Sequence, residues 1–184
     1  NTPEVAGLLE VLEEQTGRLS QLVNDLLALT NLGGLEHSTV IHVDELLTRA
    51  VESLQIPAKE QKISLHLQAE PCTILGNGML LERAVCNLIE NAIKYNRPGG
   101  TVTVEAMATE RCVKIFVIDE GIGIPKESQE HIFEPFFRVD RSRSRQLGGS
   151  GLGLSLVRAI VELHHGSVAV ETALGQGSRF ILSI

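Results

Sequence analysis

Asn87 and Asn91 stand four residues apart in the run 79–95. There Leu81, Val85, Leu88, Ile89, Ala92 and Ile93 recur at helical spacing. On such a helix Asn87, Glu90, Asn91 and Lys94 share the side opposite the apolar stripe, and the two amides project side by side. Asn is a poor helix former, so two on one stripe need a reason. Neutral amide oxygens suit a hard cation that is also held by phosphates, because Mg²⁺ prefers oxygen ligands. A solvated polar face, with Glu90 and Lys94 as a weak i, i+4 pair, fits the same pattern.

Asp119-Glu-Gly121-Ile-Gly123-Ile124 follows a strongly apolar run. A carboxylate at a strand end, then two glycines, lets a ligand approach the backbone closely, although a plain turn reads the same way. Gly148-Gly-Ser-Gly151-Leu-Gly153-Leu precedes a helical pattern of Leu156, Val157, Ile160 and Val161. Glycine-rich backbone entering a helix N-terminus suits phosphates. No Gly-Lys dipeptide occurs, which excludes a P-loop, and Leu156 stands where the dinucleotide fingerprint needs its third glycine. Between the two glycine clusters lie Arg138, Asp140, Arg141, Arg143 and Arg145, a local excess of positive charge in a chain of net charge −7. This stretch is expected to be a mobile cover over an anionic ligand, or else simple solvated surface.

The rest of the composition excludes several classes. With 184 residues, 43% apolar and 21% charged, the chain is an ordinary globular sequence rather than a disordered one. Its acidic balance and scarce aromatics, no Trp and one Tyr, argue against nucleic-acid binding by a basic face or by base stacking. No uncharged apolar run approaches the ~20 residues of a spanning helix. Cys72, Cys86 and Cys112 are odd in number and widely spaced, which predicts buried small apolar residues in a reducing compartment. The first residue is Asn1, with no leader pattern, so a piece of a longer protein is expected.

The positioning elements follow from periodicity. Val5, Leu8, Leu12, Gln15, Leu19, Leu22, Leu26 and Leu29 alternate at spacings of three and four, a heptad seam over 4–32 that Gly33-Gly34 stops. Leu9, Val11, Val23 and Leu27 widen that stripe toward a helical bundle, with packing on the chain's own globular part as the alternative. Next come a short strand at Val40–Val43, a helix starting near Asp44, and a strand around Ile63, Leu65 and Leu67. The helix 79–95 is followed by strands 101–108 and 111–119, joined by a tight turn at Thr109-Glu110. Residues 121–150 read as loop. A helix opens at Ser150 or Gly151 and runs to about Leu163, and strands 168–171 and 178–184 close the chain as a hairpin. The fold class is thus α+β, a long bundle helix and then a two-layer α/β sandwich with helices on one face of a mainly antiparallel sheet.

Five segments in this order resemble the boxes of sensor histidine kinases. Asn87-Leu-Ile-Glu-Asn91-Ala-Ile-Lys94-Tyr95 resembles the N box, and Asp119-x-Gly121-x-Gly123-Ile124 the first glycine box. Phe133-Glu-Pro-Phe136-Phe137-Arg138 resembles the F box, Gly149-Ser-Gly151-Leu152-Gly153-Leu the second glycine box, and Gly175-x-Gly177-Ser178 a last glycine motif. The resemblance implies the Bergerat-type ATP-binding fold shared with gyrase, the Hsp90 chaperones and MutL. It divides the chain into a partial dimerisation and phosphotransfer helix, 1–34, and an ATP-binding catalytic domain, 35–184.

By that resemblance Asn87 and Asn91 hold Mg²⁺ against the ATP phosphates, Lys94 contacts phosphate and Tyr95 flanks the adenine. Asp119 accepts the adenine amino hydrogen, and Gly121, Gly123 and Ile124 let the base lie close. Gly149, Gly151, Leu152, Gly153 and Ser178 complete the nucleotide site. Arg138, with Arg143, stabilises the transferring γ-phosphoryl group, and Glu90 is the nearest possible base. In the ATPases of the superfamily a water-activating glutamate matches Asn87. An amide takes no proton, so hydrolysis is expected to be slow.

One feature departs from the family. Its acceptor histidine precedes an acidic residue and, further on, a Thr-Pro or Asn-Pro, and none of the six histidines here fits. His37, His42, His66, His131, His164 and His165 read as ordinary surface or core residues, with His165 in place of a usual glycine. The implied partners are a response regulator and the acceptor helix of the same or a partner kinase chain, in a full-length homodimer, with no nucleic acid and no membrane contact by these residues. The implied location is cytoplasmic, with the full-length protein anchored in the cell membrane. An ATPase or serine kinase of the same superfamily, or a degenerate dimerisation module, are the alternatives.

Overall fold

The computed structural model describes Thr16 and residues 38–139 and 150–184. The expected seam helix 4–32 lies outside the described residues except for Thr16, which is helical and exposed. In order, the elements are β1 (Thr39–His42), α1 (Val43–Ser53), α2 (Gln55–Glu60), β2 (Ser64–Ala69), β3 (Thr73–Gly76), α3 (Gly78–Lys94), β4 (Thr101–Ala108), β5 (Val113–Asp119), α4 (Gly153–Leu163), β6 (Ser167–Thr172) and β7 (Ser178–Ser183). A 3-10 turn spans Lys126–Ser128. Among the described residues no helix is long and apolar enough to cross a membrane.

Five strands form one sheet in the order β2-β4-β5-β7-β6, and β1 pairs with β3 as a separate two-stranded ribbon. Only the β2·β4 pair of the sheet is parallel. Alternation sorts the strands' faces: Val102, Val104, Ala106, Ile115, Val117, Phe180 and Leu182 point inward and are buried. They meet Leu46, Leu47, Ala50, Leu81, Val85, Leu88, Ile89, Leu156, Val157 and Ile160 from the helices, so one layer of helices covers one face of the sheet. The predicted α+β two-layer class is therefore observed. On the other face the Arg179 guanidinium lies 4.3 Å from the Phe116 ring centre and is held by Glu171 at 3.1 Å, which shields an otherwise open aromatic.

Several boundaries differ from the sequence expectation. Val43 starts α1 instead of ending the first strand, because the extended backbone of His42 already precedes the helix. The short β3 and α2 were not expected: β3 has only four residues, too few for a readable period, and α2 carries Pro57 in its first turn, where a missing N–H costs nothing. The β4–β5 turn spans four residues rather than two, because the Thr109 hydroxyl accepts the Cys112 N–H at 3.1 Å and closes a wider turn. Helix α4 starts two residues later than Gly151, whose φ of +74° cannot belong to a helix. The Ser150 hydroxyl instead accepts the Leu152 N–H at 3.1 Å. The three cysteines are unpaired but half-buried, short of the burial expected.

Asn77 caps α3 by accepting the Leu80 N–H at 3.2 Å, and Lys94 lies in the last turn, where a cation complements the helix dipole. The N–H of Asn77 itself donates to His164 Nε2 at 2.9 Å, while His164 Nδ1 donates to the Ile160 carbonyl at 2.7 Å. One buried imidazole thus ties the start of α3 to the end of α4, in the tautomer with its proton on Nδ1. Gly76 makes the room, since a Cβ there would stand 2.8 Å from Nε2. We expect His164→Ala to lower the unfolding free energy by about 2–4 kcal/mol, from lost packing and an orphaned buried N–H. Urea denaturation reads this, and a loss below about 0.5 kcal/mol would contradict it.

Candidate functional site

Strand β5 ends at Asp119, which is buried. Its Oδ1 accepts two backbone hydrogens, from Gly121 at 2.8 Å and Ser178 at 3.2 Å. Among the described residues Oδ2 takes no bond and is the free acceptor. Burial pushes the Asp119 carboxyl above the usual carboxylate range, and the two N–H bonds offset this only in part. Register explains the meeting: Asp119 pairs with Ser178, and Ser178 with Thr172, so three polar side chains form a row across one end of the sheet, on its helix-covered side.

The chain after α3 seals the neighbouring edge. Ile122 donates its N–H to the Tyr95 carbonyl at 3.1 Å, and Gly121 packs so closely there that any Cβ would overlap that oxygen. Tyr95 is half-buried, and Lys94 Nζ stands 5.2 Å from its ring centre. Burial raises the Tyr95 hydroxyl's pKa, and the positive charge of Arg138 partly opposes this. The Arg138 Nη2 is buried without a hydrogen-bond partner among the described residues.

On the helix, Asn87 is buried rather than solvated, because α4 packs against that flank. A Cβ on Gly153 would lie 3.4 Å from Asn87 Oδ1. Asn87 Nδ2 is buried with no partner among the described residues, a cost that a protein normally avoids unless a ligand or ion completes the site. Asn91 and Lys94 are half-buried on the same stripe, and Glu90 is exposed. A groove of about 720 Å³ runs along α3, with Met79, Glu82, Cys86, Asn87 and Glu90 in its wall. Phe136 takes a φ of +64°, strained for a bulky residue, and is held by its N–H bond to the Gly151 carbonyl at 2.9 Å. The F-box segment is thus fastened to the second glycine segment. Leu152 is buried beneath them, and Ile124 is half-buried.

The described candidates therefore converge on α3, the ends of β5 and β7, and the start of α4. Arg143 and Gly149, with residues 140–149 of the expected mobile cover 138–150, lie outside the described residues. Among the described histidines, His42, His66 and His165 are exposed, His131 pairs with Glu134 at 2.8 Å and His164 is buried in the core. Periodicity did not single out Thr172 or Gln129. Thr172 Oγ1 contacts Ile124, Gly177 and Ser178, and Gln129 Nε2 donates to the carbonyls of Ile124 at 3.0 Å and Thr172 at 3.2 Å. The available signal was position: Thr172 is the last inward-facing residue before a glycine turn.

Residues 76–184 match the family described as histidine kinase-, DNA gyrase B- and HSP90-like ATPases. The chain belongs to this family. It is 41% identical over 192 residues to the sensor histidine kinase RppB of Synechocystis sp., covering all of this chain and 42% of that protein. It is 37% identical to the sensor-like histidine kinase SenX3 of Mycolicibacterium smegmatis, over 95% of this chain and 47% of that one. The chain thus spans less than half the length of these relatives. Among solved structures, full-length ShkA in complex with AMPPNP superposes with a TM-score of 0.83 at 30% identity, over 99% of this chain and 39% of that one. The mycobacterial sensor histidine kinase MprB gives 0.71 at 28% identity, over 80% and 96%. The matched span, residues 76–184, contains the polar row, the orphaned amide and the glycine segments.

Proposed function

We propose that this chain is the ATP-binding catalytic domain of a two-component sensor histidine kinase, moving the γ-phosphoryl group of ATP to a histidine for relay to a response-regulator aspartate. The observation that carries this reading is the pairing of a one-sided acceptor, Asp119 Oδ2, with an unsatisfied buried amide, Asn87, at the two ends of one site. Adenine's amino group is a donor and matches the carboxylate, with Gly121 and Gly123 giving close approach and Tyr95 flanking the base. Asn87 Nδ2 can donate to a phosphate oxygen, while the amide oxygens of Asn87 and Asn91 fit Mg²⁺. The cation, when bound, neutralises charge on the phosphates. Lys94, Gly151, Leu152 and Gly153 border the phosphates, with Gly149 and Arg143 assigned there by sequence alone.

Transfer breaks the bond from the γ-phosphorus to the ADP oxygen and forms a phosphorus–nitrogen bond to the acceptor imidazole. The site contributes positioning and charge: Arg138, whose Nη2 has no partner among the described residues, would meet the charge that develops on the moving group. Glu90 is exposed at the groove along α3, where an incoming imidazole could hand over its proton. Asn87 offers no base for water, which favours a histidine acceptor over hydrolysis. Residues 1–34 would supply half of the dimerisation hairpin, and the response regulator would dock on the complete assembly.

The test is incubation with Mg·ATP, alone and with a protein that carries the family's acceptor helix. Acid-labile phosphate is expected on the added helix and not on this chain. Label on His37, His131 or any other histidine of this chain, or rapid release of phosphate to water, would overturn the reading.

A further inference from the structure

Thr172 Oγ1 has one hydrogen and two lone pairs, and all three are committed. It donates to the Gly177 carbonyl at 2.8 Å and accepts the Ile124 N–H at 3.0 Å. Ser178 Oγ lies 3.1 Å away. Because the threonine hydrogen is already spent on Gly177, the hydrogen in that contact belongs to the serine. Ser178 therefore donates to Thr172 and turns only lone pairs toward its other neighbours. Ser178 stands in register beside Asp119, whose free oxygen is also an acceptor.

We infer that Thr172 is a specificity-determining positioning residue. By capturing the Ser178 hydrogen, it makes both side chains at the end of β5 and β7 acceptor-only, and so selects a purine that presents a donor there. Adenine presents an amino group at that edge, whereas guanine presents an oxygen, which meets two acceptors and no donor. Without the threonine hydroxyl, Ser178 can rotate and offer its own hydrogen, and guanine becomes tolerable. The same hydroxyl fastens Ile124 of the first glycine segment to Gly177 of the last, and Gln129 Nε2 donates to the carbonyls of both Ile124 and Thr172.

This inference rests on the assignment of Asp119 as the base reader, and the experiment separates the two. Calorimetric titration with Mg·ATP and Mg·GTP is run on the parent chain and on Asp119→Asn, Thr172→Val and Thr172→Ser. Thr172→Val keeps the shape and loses the hydroxyl, and it is expected to lower the ATP:GTP preference about 2- to 10-fold, the worth of one neutral hydrogen bond. Thr172→Ser restores the hydroxyl and is expected to retain the parental preference, an outcome that lost packing alone would not give. If Asp119→Asn leaves the preference unchanged, the base-site assignment itself fails. If Asp119→Asn relaxes it and Thr172→Val does not, Thr172 does not set the polarity of Ser178 and the inference is overturned. Should Thr172→Val fail to fold, Ser178→Ala replaces it. An equal loss of preference supports the serine as an acceptor, and an unchanged preference overturns the inference.

Discussion

Asp119→Asn is expected to weaken ATP binding roughly 10- to 150-fold, the worth of a charge-assisted hydrogen bond, while GTP binding stays equal or improves. The substituted amide keeps an oxygen for the Gly121 and Ser178 hydrogens but presents a donor where the carboxylate presented Oδ2. Asn91→Ala is expected to weaken both nucleotides alike, because its proposed place is at the phosphates and cation rather than at the base. Titration of the two nucleotides against both variants separates base reading from phosphate binding. The same Asp119 substitution should move stability the other way. Burial raises the carboxyl's pKa in the fold, so its contribution is fully present below the ordinary value of about 3.9 and is lost as pH rises through the raised one. At pH 7 the charged form therefore costs stability. The asparagine variant without nucleotide should melt higher than the parent at pH 7, by a margin that shrinks toward pH 4. A lower melting temperature at pH 7 would show that the charge is satisfied.

Gly177→Ala is expected to cost about 2–5 kcal/mol of stability. Its φ of +79° lies in the left-handed region, where a side chain costs roughly 1–2 kcal/mol. Its Cβ would also overlap the Asp119 carbonyl oxygen and stand 3.0 Å from the Glu120 Cα. Both neighbours are backbone at the end of β5, which cannot retreat without parting from β7, so overpacking adds a further ~1–3 kcal/mol. Gly175 is the internal control. It has the same φ of +79° with nothing within 4 Å of a Cβ, so Gly175→Ala should show the conformational cost alone. Equal losses in chemical denaturation would mean that the β5–β7 corner yields to the added methyl.

The sequence made the long elements readable because their buried faces are mostly apolar: α3 and α4, the β4–β5 pair and the closing hairpin appear within a few residues of their expected ends. Their order, and the spacing of Asn87, Asn91, Asp119 and the glycines, made most of the candidate site readable too. What stayed hidden depends on contacts distant in sequence. The burial of Asn87 comes from α4, more than sixty positions on, and no helical wheel of α3 alone shows it. Thr172 carries no motif, since its role arises from a cross-strand register. β3 and α2 are too short for periodicity, and the delayed start of α4 follows from a hydroxyl and a left-handed glycine rather than from hydrophobic pattern.

The place of β7 has a consequence for how the protein is made. It is the last strand in sequence order, yet it lies between β5 and β6 inside the sheet. During synthesis β5 therefore waits with an open edge until residues near Ser183 have emerged, some sixty positions later. That interval exposes an apolar strand, Val113–Asp119, to pairing with other chains. Of the two partners of Asp119 Oδ1, Gly121 follows β5 at once, but Ser178 arrives only with that last strand. Loss of residues 178–184 would remove an interior strand and should leave an aggregation-prone product however intact the boxes upstream remain.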